Sequence, residues 1–69
     1  MTPIYNSTAI NAFGTDGTDL IIEYRNGKRY AYLGAADRAD DLRAHAAGCG
    51  SVGGFVNHLR GIYSAEAVS

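Results

Sequence analysis

Apolar, β-rich residues dominate 19–25 and again 28–33, with polar positions at 19, 23, 25, 28 and 29 and Asn26-Gly27 between the two runs. Asn-Gly flanked by β-rich runs is a strong hairpin signal. The turn geometry decides which side chains share a face. A two-residue type I′ turn would pair Tyr24 with Arg29 and put Tyr30 and Tyr32 on the face opposite Leu20, Ile22 and Tyr24. A three-residue loop, with Gly27 in the left-handed region as a bulge, pairs Tyr24 with Lys28 and Ile22 with Tyr30 instead. Leu20, Ile22, Tyr24, Tyr30 and Tyr32 then share one face. Glu23, Arg25, Arg29 and Ala31 take the other, with Ile21 and Leu33 as its apolar exceptions. A one-residue slip turns every side chain over, so the apolar pattern selects the second register and predicts a positive φ at Gly27. Glu23 then faces Arg29, a favourable cross-strand pair.

Residues 7–13 alternate well enough for an earlier strand, and residues 14–17, with a glycine at each end, form a turn into Leu20. The helical pattern comes later. Asp37 is the expected cap of a first helix with Ala39, Leu42 and Ala46 on one stripe, and Gly48 is its expected stop. Ser51 is the expected cap of a second helix with Val52, Phe55, Leu59 and Ile62 on one stripe. Gly53 and Gly54 weaken its first turn by roughly 1 kcal/mol each, which suggests close backbone approach there. Residues 64–69 read as a frayed tail. The fold class is α+β: a three-stranded antiparallel meander with two α-helices packed on one face. Its expected core includes Leu20, Ile22, Leu42, Phe55 and Leu59.

A chain of 69 residues allows a single domain over 1–69, and one this short buries only about 60% of the surface that its unfolded form exposes. The 46% apolar and 19% charged content is globular rather than disordered. A net charge of −1 argues against gripping nucleic acid by bulk charge and against a polybasic membrane binder. The single cysteine cannot form an internal disulfide, which fits a cytoplasmic protein. No apolar run reaches the roughly 18–20 residues of a membrane span, so no membrane association is expected.

Several residue groups invite a chemical reading. Gly48-Cys49-Gly50-Ser51-Val52-Gly53 matches G-x-G-x-x-G, but a dinucleotide fingerprint must follow a strand within a βαβ unit, and here a helix precedes it. A helix–helix corner is the expected role. His45 and Cys49 stand at i, i+4, with His58 as the one further histidine. Gly48 ends the helix between them, and a structural zinc site needs four ligands. Asp37, Asp40 and Asp41 at a helix start are explained by the helix dipole. Neither a cofactor nor a metal is expected, and no arrangement suggests an enzyme. The tyrosines have two readings. Tyr30 and Tyr32 exposed beside Arg25, Lys28, Arg29 and Arg60 would make a stacking platform for single-stranded RNA. The register argument instead turns both rings toward the helices as core.

One larger pattern runs through residues 7–63. Ser7 precedes an apolar strand ending in Phe13. Leu20-x-Ile22-x-Tyr24, Asn26-Gly27 and Tyr30-Ala31-Tyr32 follow, then Ala46 ahead of a glycine stretch, then Phe55 with Leu59, Arg60 and Tyr63. This resembles the KTSC domain, found at the C-terminus of some lysyl-tRNA synthetases and as free-standing small bacterial and phage-type proteins. Two positions depart from that pattern. Ala35-Ala36 stands where the family has an apolar–Pro pair, and Val56 stands where it has Asn after the helix aromatic. The resemblance implies the fold and an RNA- or tRNA-binding accessory role.

The leading expectation is a small non-enzymatic module acting by protein–protein contact, such as a phage-type or mobile-element inhibitor of a host factor. Its expected surface is the outer sheet face, with Ile21, Glu23, Arg25, Arg29 and Leu33, where a homodimer would bury the same residues. The alternative is RNA binding through Arg25, Lys28, Arg29, Tyr30, Tyr32 and Arg60.

Overall fold

The Asn26-Gly27 hairpin forms with the three-residue loop. Gly27 has φ +87°, Gly27 N–H donates to Tyr24 O at 3.0 Å, and Tyr24 N–H donates to Lys28 O at 2.8 Å. Asn26 Oδ1 accepts from Lys28 N at 3.0 Å and closes the turn. Ile22 pairs with Tyr30, Leu20 with Tyr32 and Glu23 with Arg29, so the apolar pattern selected the register as expected. The computed structural model describes residues 1–5, 7–49 and 51–68.

The fold is α+β, but the antiparallel sheet has five strands rather than three. They are β1 (Thr2–Pro3), β2 (Ile10–Asp16), β3 (Asp19–Tyr24), β4 (Arg29–Tyr32) and β5 (Ala65–Val68), adjacent in chain order. Two strands lie where no pattern announced them. β1 is two residues long, and its proline is tolerated because it lies at a sheet edge. β5 occupies the segment expected to fray. All four of its residues are exposed and its sequence does not alternate, so its pairing with β4 and not a buried face defines it.

β2 also starts and ends later than residues 7–13. Ser7 Oγ accepts from the N–H groups of Ala9 and Ile10, at 3.3 and 3.1 Å, and holds that stretch in a turn. At the other end Gly14 and Thr15 stay in the ladder, paired with Ile21 and Leu20. The connection is therefore the two residues Gly17-Thr18 rather than a turn over 14–17.

Two α-helices, α1 (Ala39–Ala44) and α2 (Val52–Arg60), supply the cover. Asp37 does not cap the first. It lies inside a 3₁₀ turn, Ala36–Arg38, that precedes α1, and neither helical start there has a side-chain cap. The N–H of Ala36, the first residue of that turn, finds a tertiary partner instead, donating to Thr18 O at 2.9 Å, and just ahead of it Gly34 N–H donates to Asp19 Oδ1 at 3.0 Å. The helical path continues through His45–Cys49 and breaks at Gly48, whose φ of +103° only glycine adopts readily. Ser51 caps α2 as expected, its Oγ accepting from Gly54 N at 3.0 Å. The close approach expected at Gly53 and Gly54 is absent. A methyl at Gly53 would meet nothing, and at Gly54 only the capping Ser51, at 3.3 Å. Both glycines loosen α2 without serving tertiary contact.

The core lies between the sheet and the two helices. Ile4, Ile10, Phe13, Leu20, Ile22 and Tyr32 meet Ala35, Ala39, Leu42, Val52, Val56 and Leu59. The buried stripe of α2 is Val52, Val56 and Leu59, rotated from the expected one. Phe55 is half-buried, its ring stacked 4.6 Å from that of His45. Ile62 is 56% exposed because the helix stops at Arg60.

Candidate functional site

Strand alternation sends neighbouring side chains of the hairpin to opposite faces, so it divides the candidate residues into two groups. The outer group lies on the sheet face away from the helices. Ile21 sits there between its cross-strand neighbours Gly14 and Ala31, half-buried. Beside it a shallow groove is lined by Met1, Gly14, Thr15, Asp16, Ile21, Arg29 and Val68. Met1 is 56% exposed and Val68 39%. The sequence pattern marked neither, because β1 and β5 were not legible. Leu33, also exposed, lies beyond the end of β4, where its N–H donates to Ser64 O at 2.8 Å.

The charged members of this group are tied down. Glu23 accepts from Arg29 Nε at 2.8 Å and from Asn11 Nδ2 at 2.6 Å. Asn11 faces Glu23 because β2 shifts register between Ile10 and Ala12. Arg25 Nη2 donates to Ser7 O at 2.9 Å, linking the hairpin to the start of β2.

The hydrogen bond from Asn11, and after it that from Arg29, hold the Glu23 carboxyl below its usual 4.5. A lowered folded-state value stabilises the fold fully above the usual value. That contribution is lost as the pH falls through the lowered one. Carboxyl-carbon NMR titration should therefore give Glu23 a midpoint below 4.5, moving upward in Asn11→Ala. A midpoint unchanged in that variant would remove Asn11 from this account.

The inner group lies on the helix side. Tyr24, Tyr30 and Tyr32, with Asn26, Arg60 and Ala65, line a pocket of about 330 Å³ between the hairpin and the end of α2. The Tyr24 and Tyr30 rings meet edge to face, 5.6 Å between centroids. Tyr32 is only 1% exposed, and its Oη lies 2.7 Å from Tyr24 Oη. Burial, and next the Tyr24 hydroxyl, push the Tyr32 phenol well above its ordinary value, so it remains neutral.

The RNA set is thus not one surface. Tyr30, Tyr32 and Arg60 belong to the inner pocket, while Arg29 is paired to Glu23 on the other face. Tyr32 cannot serve as a stacking platform, because a base would have to displace the core to reach it. Lys28 stands exposed at the hairpin tip.

The remaining candidates resolve into structural roles. Asp40 pairs with Arg43 at 2.6 Å and Asp41 with Arg38 at 3.4 Å, both exposed pairs. His45 Nδ1 lies 2.8 Å from Asp41 O. Among the described residues, no group of three or more His, Cys, Asp or Glu side chains is placed to hold a metal. The Cys49 side chain and Gly50 lie outside the described residues. What is described of the glycine motif joins two helical segments, where a dinucleotide fingerprint needs a strand and a helix. No helix is long and apolar enough to cross a membrane among the described residues.

No family model matches the chain, and no curated protein or solved structure matches it.

Proposed function

We propose that this chain is a small non-enzymatic binding module that acts by protein–protein contact through the outer face of its sheet. The observation that carries this reading is the groove in which Met1, Ile21 and Val68 present apolar surface beside Arg29, with the Glu23–Arg29 pair alongside. An apolar centre inside a polar rim is how specific interfaces are commonly built. Apart from the small tyrosine pocket, the helix side of the sheet is covered by the core, so the outer face is the broad sheet surface left for a partner. The KTSC resemblance adds that such domains also occur as free-standing small proteins. A cytoplasmic phage-type or mobile-element protein that inhibits a host factor is the form this reading takes.

The test is affinity capture from native lysate with the parent chain and with Ile21→Glu, Leu33→Glu and Val68→Glu, the eluate divided between protein and RNA analysis. A charge at Ile21 or Val68 should reduce capture of the protein partner at least about tenfold, as at an interface hot spot. Melting temperature and monomer mass should stay unchanged. A change from dimer to monomer instead would make the face a self-association surface. Capture of RNA that weakens steeply with salt would replace the reading with nucleic-acid binding. Indifference of capture and mass to all three charges would refute it.

A further inference from the structure

The geometry points to a second, separate site: the tyrosine pocket beneath the hairpin binds a small phosphomonoester group. This goes beyond the outer-face reading and does not depend on it. The polar groups at the pocket are donors. Arg60 brings a guanidinium with five N–H groups in a planar fork, and among the described residues it forms no ion pair. Asn26 spends its Oδ1 on Lys28 N, which leaves its amide N–H groups to point elsewhere.

The hydroxyl pair adds one more donor. Tyr24 and Tyr32 share a single hydrogen bond, so one of their two protons is left over. Both rings line the pocket, but Tyr32 is nearly sealed from solvent while Tyr24 is half-buried, which favours the arrangement with Tyr32 as donor and the Tyr24 proton left for the pocket. Among the described residues, no carboxylate lines the cavity to neutralise Arg60.

A carboxylate, with two oxygens, is satisfied by one guanidinium fork. A phosphoryl group carries a further oxygen and a second charge, which match the additional Asn26 and Tyr24 donors. At about 330 Å³ the cavity is at the small end of ligand sites. It suits one phosphoryl group and a compact organic body packed against Tyr30.

The experiment is a titration of the full chain with phenyl phosphate, ribose 5-phosphate, inorganic phosphate and benzoate, followed by two-dimensional NMR. With no tryptophan in the chain, tyrosine fluorescence gives a second readout. Saturable shifts at the Asn26 side chain and the Ala65 amide are expected with the phosphomonoesters, and weaker binding with benzoate. Preference for phenyl phosphate would mark a phosphorylated aromatic side chain as the source, and preference for ribose 5-phosphate a nucleotide.

Arg60→Gln, a change at an exposed position, should weaken binding roughly 10- to 100-fold. Tyr24→Phe should weaken it several-fold, and Asp40→Asn at the exposed start of α1 should not change it. Benzoate binding as tightly as phenyl phosphate would overturn the assignment. So would the absence of saturable binding, or binding that survives Arg60→Gln. None of these results would touch partner capture by the outer face.

Discussion

Phe13→Ala is expected to destabilise the fold by about 3–5 kcal/mol, the range for a buried aromatic truncated to a methyl. Phe13 is one of the largest fully buried side chains. It stands in β2 between Thr2 of β1 and Ile22 of β3, at the junction of three strands. The Arg43 guanidinium lies 5.8 Å from its ring centroid, so α1 closes over it as well. The neighbours belong to a hydrogen-bonded ladder and cannot collapse into the space, which places the cost at the upper end for its chemistry. At roughly 0.05–0.15 kcal/mol per residue, a chain of 69 residues has about 3–10 kcal/mol in total. The variant should therefore be partly unfolded at 37 °C. Urea denaturation followed by circular dichroism measures this, and a loss under about 1 kcal/mol would mean that Phe13 is not enclosed by the three strands.

Leu59→Ala is expected to cost about 2–5 kcal/mol by the same mechanism, with an informative contrast at Ile62, less than one turn further on. Leu59 and Ile62 lie on one helical stripe by spacing alone, and Leu59 reads as core. In the fold Leu59 is buried, but Ile62 follows the C-cap Gly61 and faces water. Ile62→Ala should therefore change stability by less than about 0.5 kcal/mol. Equal losses at the two positions would mean that α2 continues past Arg60 and packs along its whole length. Val56→Ala should behave like Leu59→Ala in direction, whereas Phe55→Ala should lose less than a fully buried aromatic would. Its ring keeps one side toward solvent and the other on His45.

The candidate surfaces were legible to different degrees. The outer-face pair Glu23–Arg29 followed from register, because period-two alternation leaves one choice once Leu20, Ile22 and the tyrosines must share a face. Asn11 was not legible as a Glu23 partner, since a one-residue register shift in β2 brings it there and nothing in composition announces such a shift. The tyrosine pocket was half legible. The sequence places Tyr30, Tyr32 and Arg60 in an RNA-binding set with Arg25, Lys28 and Arg29. Their meeting with Asn26 and Ala65 in a concavity needed α2 and β5 in place.

By itself the sequence determined the elements whose information is local. The β3–β4 hairpin and its register rest on an Asn-Gly turn and the five residues Leu20, Ile22, Tyr24, Tyr30 and Tyr32 that must share a face. The break at Gly48 and the cap at Ser51 rest on single residues whose backbone or side-chain chemistry acts within three or four positions. The antiparallel sheet with helices on one face follows from the order of those segments. Only the tertiary structure decided β1 and β5, which are too short or too exposed to show any periodicity and exist because β2 and β4 offer them open backbone groups. It also decided how the 3₁₀ turn ahead of α1 begins, where Thr18 O accepts from the Ala36 N–H. The same holds for α2, where Val56 rather than Phe55 enters the core, because the helix turns to fit a sheet whose shape its own residues do not encode.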